Sequence, residues 1–210
     1  MRINVSMRMK SIFPGLGSVW LLWCGSAVGA DCFDSIKAEL AEAVCTRFAF
    51  LSIIESEVFD QVDSMEGTAY IARDGRFNLV LGADRYLFDG NNLYSYSAEN
   101  NQVIIEKVEE KKALSKEISF ITRLDELYQT QVIKADSLYR LEKKAGVKVG
   151  VPDSLTVSVV RYALRLDRLE YYDINDERNV VVILNQQLDT ICREREFEPD
   201  FPDSVEKVRL

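Results

Sequence analysis

The strongest constraint on this chain is a period of two. From Gly67 to Val108 the sequence reads "GTAYIARDGRFNLVLGADRYLFDGNNLYSYSAENNQVIIEKV", and apolar side chains alternate through it. Alternation sends successive side chains to opposite faces of a strand, a pattern that no helix gathers into one stripe. The turns between are short and chemically specific: "RDGR" at 73–76, "DGNN" at 89–92 and "AENN" at 98–101. Links of that length join antiparallel neighbours. The pattern predicts strands over 47–58, 67–72, 76–81, 86–89, 92–96 and 102–107, a meander. After a charged interruption it resumes over 128–133, 137–143, 155–166 (with room for a break), 169–173 and 180–189. Aromatic residues stand on both phases of the alternation, more than a sheet needs merely to hold together.

Two segments keep the helical period instead. In 31–48, Phe33, Ile36, Leu40 and Val44 recur at helical spacing with Lys37, Glu39 and Glu42 on other faces, and Asp31 or Asp34 can cap the start. In "EEKKALSKEISFITRLDELY", Leu114, Ile118, Ile121 and Leu127 share a face flanked by Phe120 and Leu124, which predicts a helix over 115–127. The stretch "KAGVKVGVPDS" reads as a mobile loop. The tail "FEPDFPDSVEKVRL" holds two of the four prolines and belongs along a sheet edge.

A sheet of about eleven antiparallel strands has to curl. The expected class is α+β: an incomplete, half-open barrel with the helices across its concave side as a lid. Phe77, Leu79 and Leu81 share one strand face, and Tyr94 and Tyr96 share another. With Leu87, Phe120 and Ile121 they are the candidates to line a hydrophobic cavity. The alternative is an ordinary filled core.

Residues 1–30 carry Arg2, Arg8 and Lys10, no acidic residue, an apolar stretch around 19–23 and the small-residue run "GSAVGA". That is the layout of a signal peptide cleaved after Ala30; a retained anchor or a lipoprotein signal at Cys24, which Trp23 fits badly, is the alternative. One mature domain, 31–210, is expected. Removing three of the 26 basic residues leaves 23 against 34 acidic ones, a net charge of about −11. Such a surface repels nucleic acid and anionic lipid headgroups.

Cys32, Cys45 and Cys192 lie beyond the leader, an odd number for an oxidising compartment. A helix covering both Cys32 and Cys45 would hold them roughly 20 Å apart, too far to bond. Either could pair with Cys192, Cys45 being preferred, and three free thiols are an equal alternative. The chain has no histidine, which excludes His-based triads, His-liganded zinc and His general bases. The acidic pairs Glu109–Glu110 and Asp173 with Asp176 fall in polar connecting segments, where solvated charge is the simpler reading. A non-catalytic protein is expected, without catalytic residues, metal ligands or cofactor.

At this point the sequence resembles the LolA family, periplasmic carriers that move lipoproteins from the inner to the outer bacterial membrane. "GTAYIARDGRFNLVL" is similar to the family's Gly, alternating strand, Arg-Pro, then Phe and a second apolar residue. Here Asp74 stands where the proline would be. "LFDGNNLYSYS" resembles the next signature, and "FEPDFPDSVEKVRL" the terminal one, its proline pair split as Pro199 and Pro202. The resemblance implies a lipid cavity under a lid and a latch role for Arg73, hydrogen-bonded to the lid when the cavity is empty. It implies acylated lipoproteins as cargo, an inner-membrane ABC-type releasing complex and an outer-membrane acceptor as partners, no cofactor, and a monomer in the periplasm. The same half-barrel also serves periplasmic sensors of lipid or lipoprotein, the alternative function.

Overall fold

The structure is a computed structural model that describes residues 31–56, 60–109, 113, 118–173, 175–189 and 191–210. The expected leader with its expected cleavage after Ala30, residues 57–58 of the expected 47–58 strand, and residues 115–117 of the second expected helix lie outside the described residues.

The Asp31 side chain accepts the Phe33 backbone N–H at 3.0 Å and so caps α1 (Cys32–Glu42). The helix is shorter than the 31–48 expected. Ala43 takes extended backbone (φ −57°, ψ 136°), and Cys45 already pairs with Ala72 on one side and Asp189 on the other. Cross-strand pairing on both flanks wins over helical spacing there, and Val44, the last residue of the apolar stripe, is 40% exposed.

The strands follow as β1 (Cys45–Ser56), β2 (Gln61–Ala72), β3 (Phe77–Leu81), β4 (Asp84–Phe88), β5 (Asn92–Ser97) and β6 (Gln102–Lys107). A 3₁₀ turn (Ser119–Arg123) and a one-turn helix, α2 (Leu124–Leu127), replace the longer helix expected over 115–127. Then come β7 (Tyr128–Lys134), β8 (Leu138–Lys143), β9 (Ser154–Val160), β10 (Arg165–Tyr172), β11 (Arg178–Asp189) and β12 (Glu206–Arg209). The expected 155–166 strand is broken by a 3₁₀ turn at Arg161–Ala163, and Leu164 follows with φ 43°.

All twelve strands, counted among the described residues, form one sheet in the order β12-β6-β5-β4-β3-β2-β1-β11-β10-β9-β8-β7. Every pairing is antiparallel except β12 on β6, so the tail does run along an edge. Because β12 and β7 end the sheet without meeting, it is an incomplete barrel. Strand β1 is central, and β11 bulges against it at Leu184, opposite Ala49/Phe50. Phe50 pairs with Gly67, and a Cβ on that glycine would lie 2.3 Å from the Phe50 ring. Only glycine lets this aromatic lie across β2.

A disulfide joins Cys45 to Cys192, with Cα atoms 5.3 Å apart, the pairing preferred from the sequence. Cys32 is free and buried. Along the concave face runs one continuous core: Phe33, Ile36 and Leu40 of α1 and Ile118, Phe120, Ile121 and Leu124 of the second cover meet side chains from both halves of the sheet.

Candidate functional site

The concave face and its cover are the candidate site. The cover is joined to the sheet by few directional bonds. Phe33 stacks on Tyr139 of β8 at 4.5 Å between ring centres. The Tyr139 hydroxyl donates to Asp31, and burial, with that bond second, pushes the phenol well above its ordinary range. Lys37 is 7% exposed and bridges α1 to α2 inside the cover. Its Nζ donates to Asp125 of α2 at 2.6 Å and to Thr130 of β7 at 3.3 Å, and it pairs with Asp34 at 3.0 Å. Burial works against its charge, and the two carboxylates more than offset this, so its pKa is raised.

Phe77, Leu79 and Leu81 do face inward, 1%, 1% and 7% exposed. Phe120 and Ile121 close over the same core from the 3₁₀ turn. The centre of the concave face is packed with side chains, the filled core given above as the alternative.

Leu87, Tyr94 and Tyr96 require a correction, because all three point to the opposite face. Phe77 pairs with Phe88, so Leu87 lies opposite Asn78, and Tyr94 lies opposite Leu87. Paired residues share a face. The inward residues of these strands are Tyr86, Phe88 and Leu93. "LFDGNNLY" is apolar on both phases at Leu87–Phe88 and Leu93–Tyr94, so alternation alone could not choose between them. The outward set packs under the C-terminal segment: the Phe201 ring lies 5.9 Å from Tyr94 and 5.7 Å from Tyr96.

Open space lies elsewhere. A depression of about 770 Å³ opens where β8–β11 meet the 144–153 link. Ile54, Val151, Leu155 and Tyr171 form apolar wall, and Lys143, ion-paired with Asp153, stands at its margin. Of the eight expected cavity residues, only Phe120 reaches it. The link, read from sequence as a mobile loop, is tied to the core through buried Val151 and half-buried Val147 and Val149. Three valines within a Gly- and Lys-rich stretch were the available signal. Asp173, one of the acidic residues noted above, accepts the backbone N–H groups of Asn175 and Glu177 and so closes the β10–β11 turn.

Arg73 is exposed at the β2–β3 turn and, among the described residues, makes no side-chain hydrogen bond to the cover. It lines a cleft of about 310 Å³ together with Leu40 of α1 and Thr122, Arg123 and Glu126 of the cover. The bonded arginine of this turn is Arg76, which reaches Asp74 at 2.8 Å, Glu194 at 2.5 Å and the Phe197 ring at 4.7 Å.

An open antiparallel sheet with a short helical cover is an architecture found elsewhere. It is shared with a conserved protein from Thermus thermophilus. That crystal structure, of a protein described as uncharacterized, aligns over 84% of this chain and 98% of its own at a TM-score of 0.50 and 9% identity. At that identity the likeness is one of fold. The chain is also similar to a LolA superfamily protein from Nitrosomonas europaea (TM-score 0.44, 10% identity, 79% and 96% of the two chains). A putative outer membrane lipoprotein-sorting protein domain from Vibrio parahaemolyticus aligns at TM-score 0.44 and 7% identity over 80% and 95%. No protein-family model matches the sequence, and no curated protein does.

Proposed function

We propose that this chain is a periplasmic, non-catalytic carrier that covers the acyl chains of lipoproteins and takes them from the inner to the outer membrane. One observation carries the reading. Among the described residues, a continuous apolar face on an open sheet is covered by an 11-residue helix, a 5-residue 3₁₀ turn, a 4-residue helix and Ala113, beside an apolar-walled depression. About 770 Å³ is within the range of small-molecule sites. If the cover swings out, Phe77, Leu79 and Leu81 join Ile54, Leu155 and Tyr171 in one surface. The energetics demand such a device: at about 0.8 kcal/mol per buried CH₂, an acyl chain of about 16 carbons costs roughly 12 kcal/mol to expose to water. Many weak, non-directional contacts suit a carrier that must also release.

The family resemblance supplies the partners of this proposal: an ABC-type complex that loads and an outer-membrane acceptor that unloads. It also supplies the latch. Arg73 shares a cleft with Thr122 and Glu126 of the cover, and that shared cleft supports the latch reading. An Arg73→Leu protein is then expected to accept cargo and hand it on slowly, so that loaded carrier accumulates.

The deciding experiment is mass spectrometry of the protein purified from the periplasm of cells expressing the full chain, paired with cargo release from inner-membrane vesicles. Acylated lipoprotein should co-purify and be released. A protein that carries no acylated molecule and releases none would sink the proposal, and equal transfer by Arg73→Leu and wild type would remove the latch.

A further inference from the structure

Strand β2 outruns its neighbour on one side. Its pairing with β1 runs from Gln61 to Ala72, but β3 accompanies it only from Gly67, where Leu81 stands opposite. Gly82 holds φ 58° and turns the chain away, its N–H donating to the Glu66 carbonyl at 2.9 Å. Among the described residues, 61–66 therefore pair with β1 alone, and all six are exposed. Backbone groups along an antiparallel strand face its two neighbours alternately. The Ala72 N–H donates to the Arg76 carbonyl and Glu66 accepts from Gly82, so the even-numbered residues of β2 face the β3 side. The N–H and C=O groups of Val62 and Ser64 then point where no described strand lies. At about 3.4 Å per residue the open edge is roughly 20 Å long, the span of an ordinary strand.

Sheet edges are commonly blunted by a bulge, a proline or a lysine. The outer edge strand β7 has two of these devices, a register shift between Val132 and Lys134 and Lys134 itself. The β2 edge has none: its ladder with β1 runs without a shift, and residues 51–67 contain no proline, lysine or arginine. What it carries instead is negative charge. Glu55 is held by Arg178 at 2.6 Å, and Asp63 accepts the Gln61 amide at 3.2 Å. Asp60, Asp63 and Glu66 have no cationic partner among the described residues. Val62 is 66% exposed and Met65 38%. Asp63 and Met65 share the concave side with Ile54 and Ser52, while Val62 and Glu66 lie on the convex side. Each face of the edge thus offers one carboxylate and one apolar side chain.

We propose that an extended, basic segment of a partner protein adds to β2 as a further antiparallel strand along Val62–Glu66. Main-chain bonds to Val62 and Ser64 supply the attachment, and the side chains select the partner. A second copy of this chain is disfavoured, because its edge would set three more uncompensated carboxylates against the first three. Opposite residues share a face, so a segment reading Lys-Val-Thr-Lys-Val sets its lysines across from Glu66 and Asp63. Its valines then lie across from Met65 and Val62. Ile54 of the same hairpin lines the depression, so the added strand lies beside its mouth. This docking does not depend on cargo, so it stands or falls separately from the carrier reading.

The test is fluorescence anisotropy of a labelled peptide containing Lys-Val-Thr-Lys-Val, titrated with the protein purified from the periplasm of cells expressing the full chain. Binding is expected at low salt. It should fall about tenfold when the threonine and the final valine are N-methylated, which keeps every charge but removes the donors facing β2. Ser64→Pro should weaken it about as much with an unchanged melting temperature, because the Ser64 N–H faces away from β1. Asp63→Lys with Glu66→Lys should reverse the preference, losing this peptide and binding one with glutamate in place of both lysines. In hydrogen exchange the peptide should slow the amides of Val62 and Ser64, which are open without it. No binding, equal binding of the N-methylated peptide, or unchanged exchange at Val62 and Ser64 overturns the proposal. So does self-association of the chain alone that Ser64→Pro abolishes, which would give the edge to a second copy.

Discussion

The two faces of β3–β6 are both covered, but by different physics. On the concave face Phe77, Leu79 and Phe88 lie in one apolar core with α1 and the 3₁₀ turn, and the cover's polar fastenings are Lys37 and the Asp31–Tyr139 bond. On the convex face the C-terminal segment is fixed by directional bonds. Asn78 Nδ2 donates to the Glu196 carbonyl at 2.8 Å, Arg85 Nη1 to the Asp200 carbonyl at 2.9 Å, and the Arg193 N–H to the Tyr70 hydroxyl at 2.9 Å. The Arg76 and Arg85 guanidinium groups lie over the Phe197 and Phe201 rings at 4.7 and 5.3 Å, and the disulfide and the β12–β6 pairing close the two ends. Non-directional contact permits sliding and re-covering by another apolar group, whereas hydrogen bonds, stacked arginines and a covalent link do not. The aromatic residues on both faces of the sheet thus have separate roles, one set under a lid and the other under a strap.

The comparison breaks most readily at Phe77. With the concave centre packed, Phe77→Ala should cost about 3–5 kcal/mol in urea unfolding. A loss below about 1 kcal/mol would mean the space is already a cavity. Next in size is the strap's covalent tie. The disulfide spans 147 residues of sequence, and replacing both Cys45 and Cys192 by serine should cost about 2–4 kcal/mol. Cleavage by protease should then concentrate after residue 192, and uniform cleavage would contradict a separable strap.

A smaller effect is expected from Lys37→Met. The lost bonds and the gained apolar contact should leave stability within about 1 kcal/mol. Amide hydrogen exchange should nevertheless rise in α1 and α2 and stay unchanged in β12. Unchanged exchange in α1 would remove Lys37 as the lid's fastening.

The smallest effect is that of pH on the strap. Burial alone would raise the Asp74 carboxyl, and bonds to Arg76 more than reverse it; Arg76 also lowers Glu194. Groups depressed in the fold stabilise it fully above their ordinary values, 3.8 and 4.5, and lose that contribution as pH falls through the lowered ones. Near-ultraviolet circular dichroism should therefore show Tyr70 and Phe197 loosening in acid before the concave core does. Simultaneous loss would mean that both faces share one fastening.

Period-two alternation, turn chemistry and the helical spacing of Phe33, Ile36 and Leu40 were enough to settle strand count within one, antiparallel neighbours, the α1 stripe and the edge placement of the tail. These are local signals, written within a few residues of one another. The inward facing of Phe77, Leu79 and Leu81 was legible because only one phase of their strand is strongly apolar. Everything that depended on pairing between distant segments was decided by tertiary structure. Cross-strand bonds from Ala72 and Asp189 ended α1 before Cys45. The register of β4 against β3 turned Leu87, Tyr94 and Tyr96 outward. The return of the chain from residue 192 placed Phe197 and Phe201 over the convex face, and the 144–153 link brought Val151 to the depression. A strand that is apolar on both phases has two faces to offer. Which one becomes core depends on what the rest of the chain lays against it, and no local stretch of sequence carries that information.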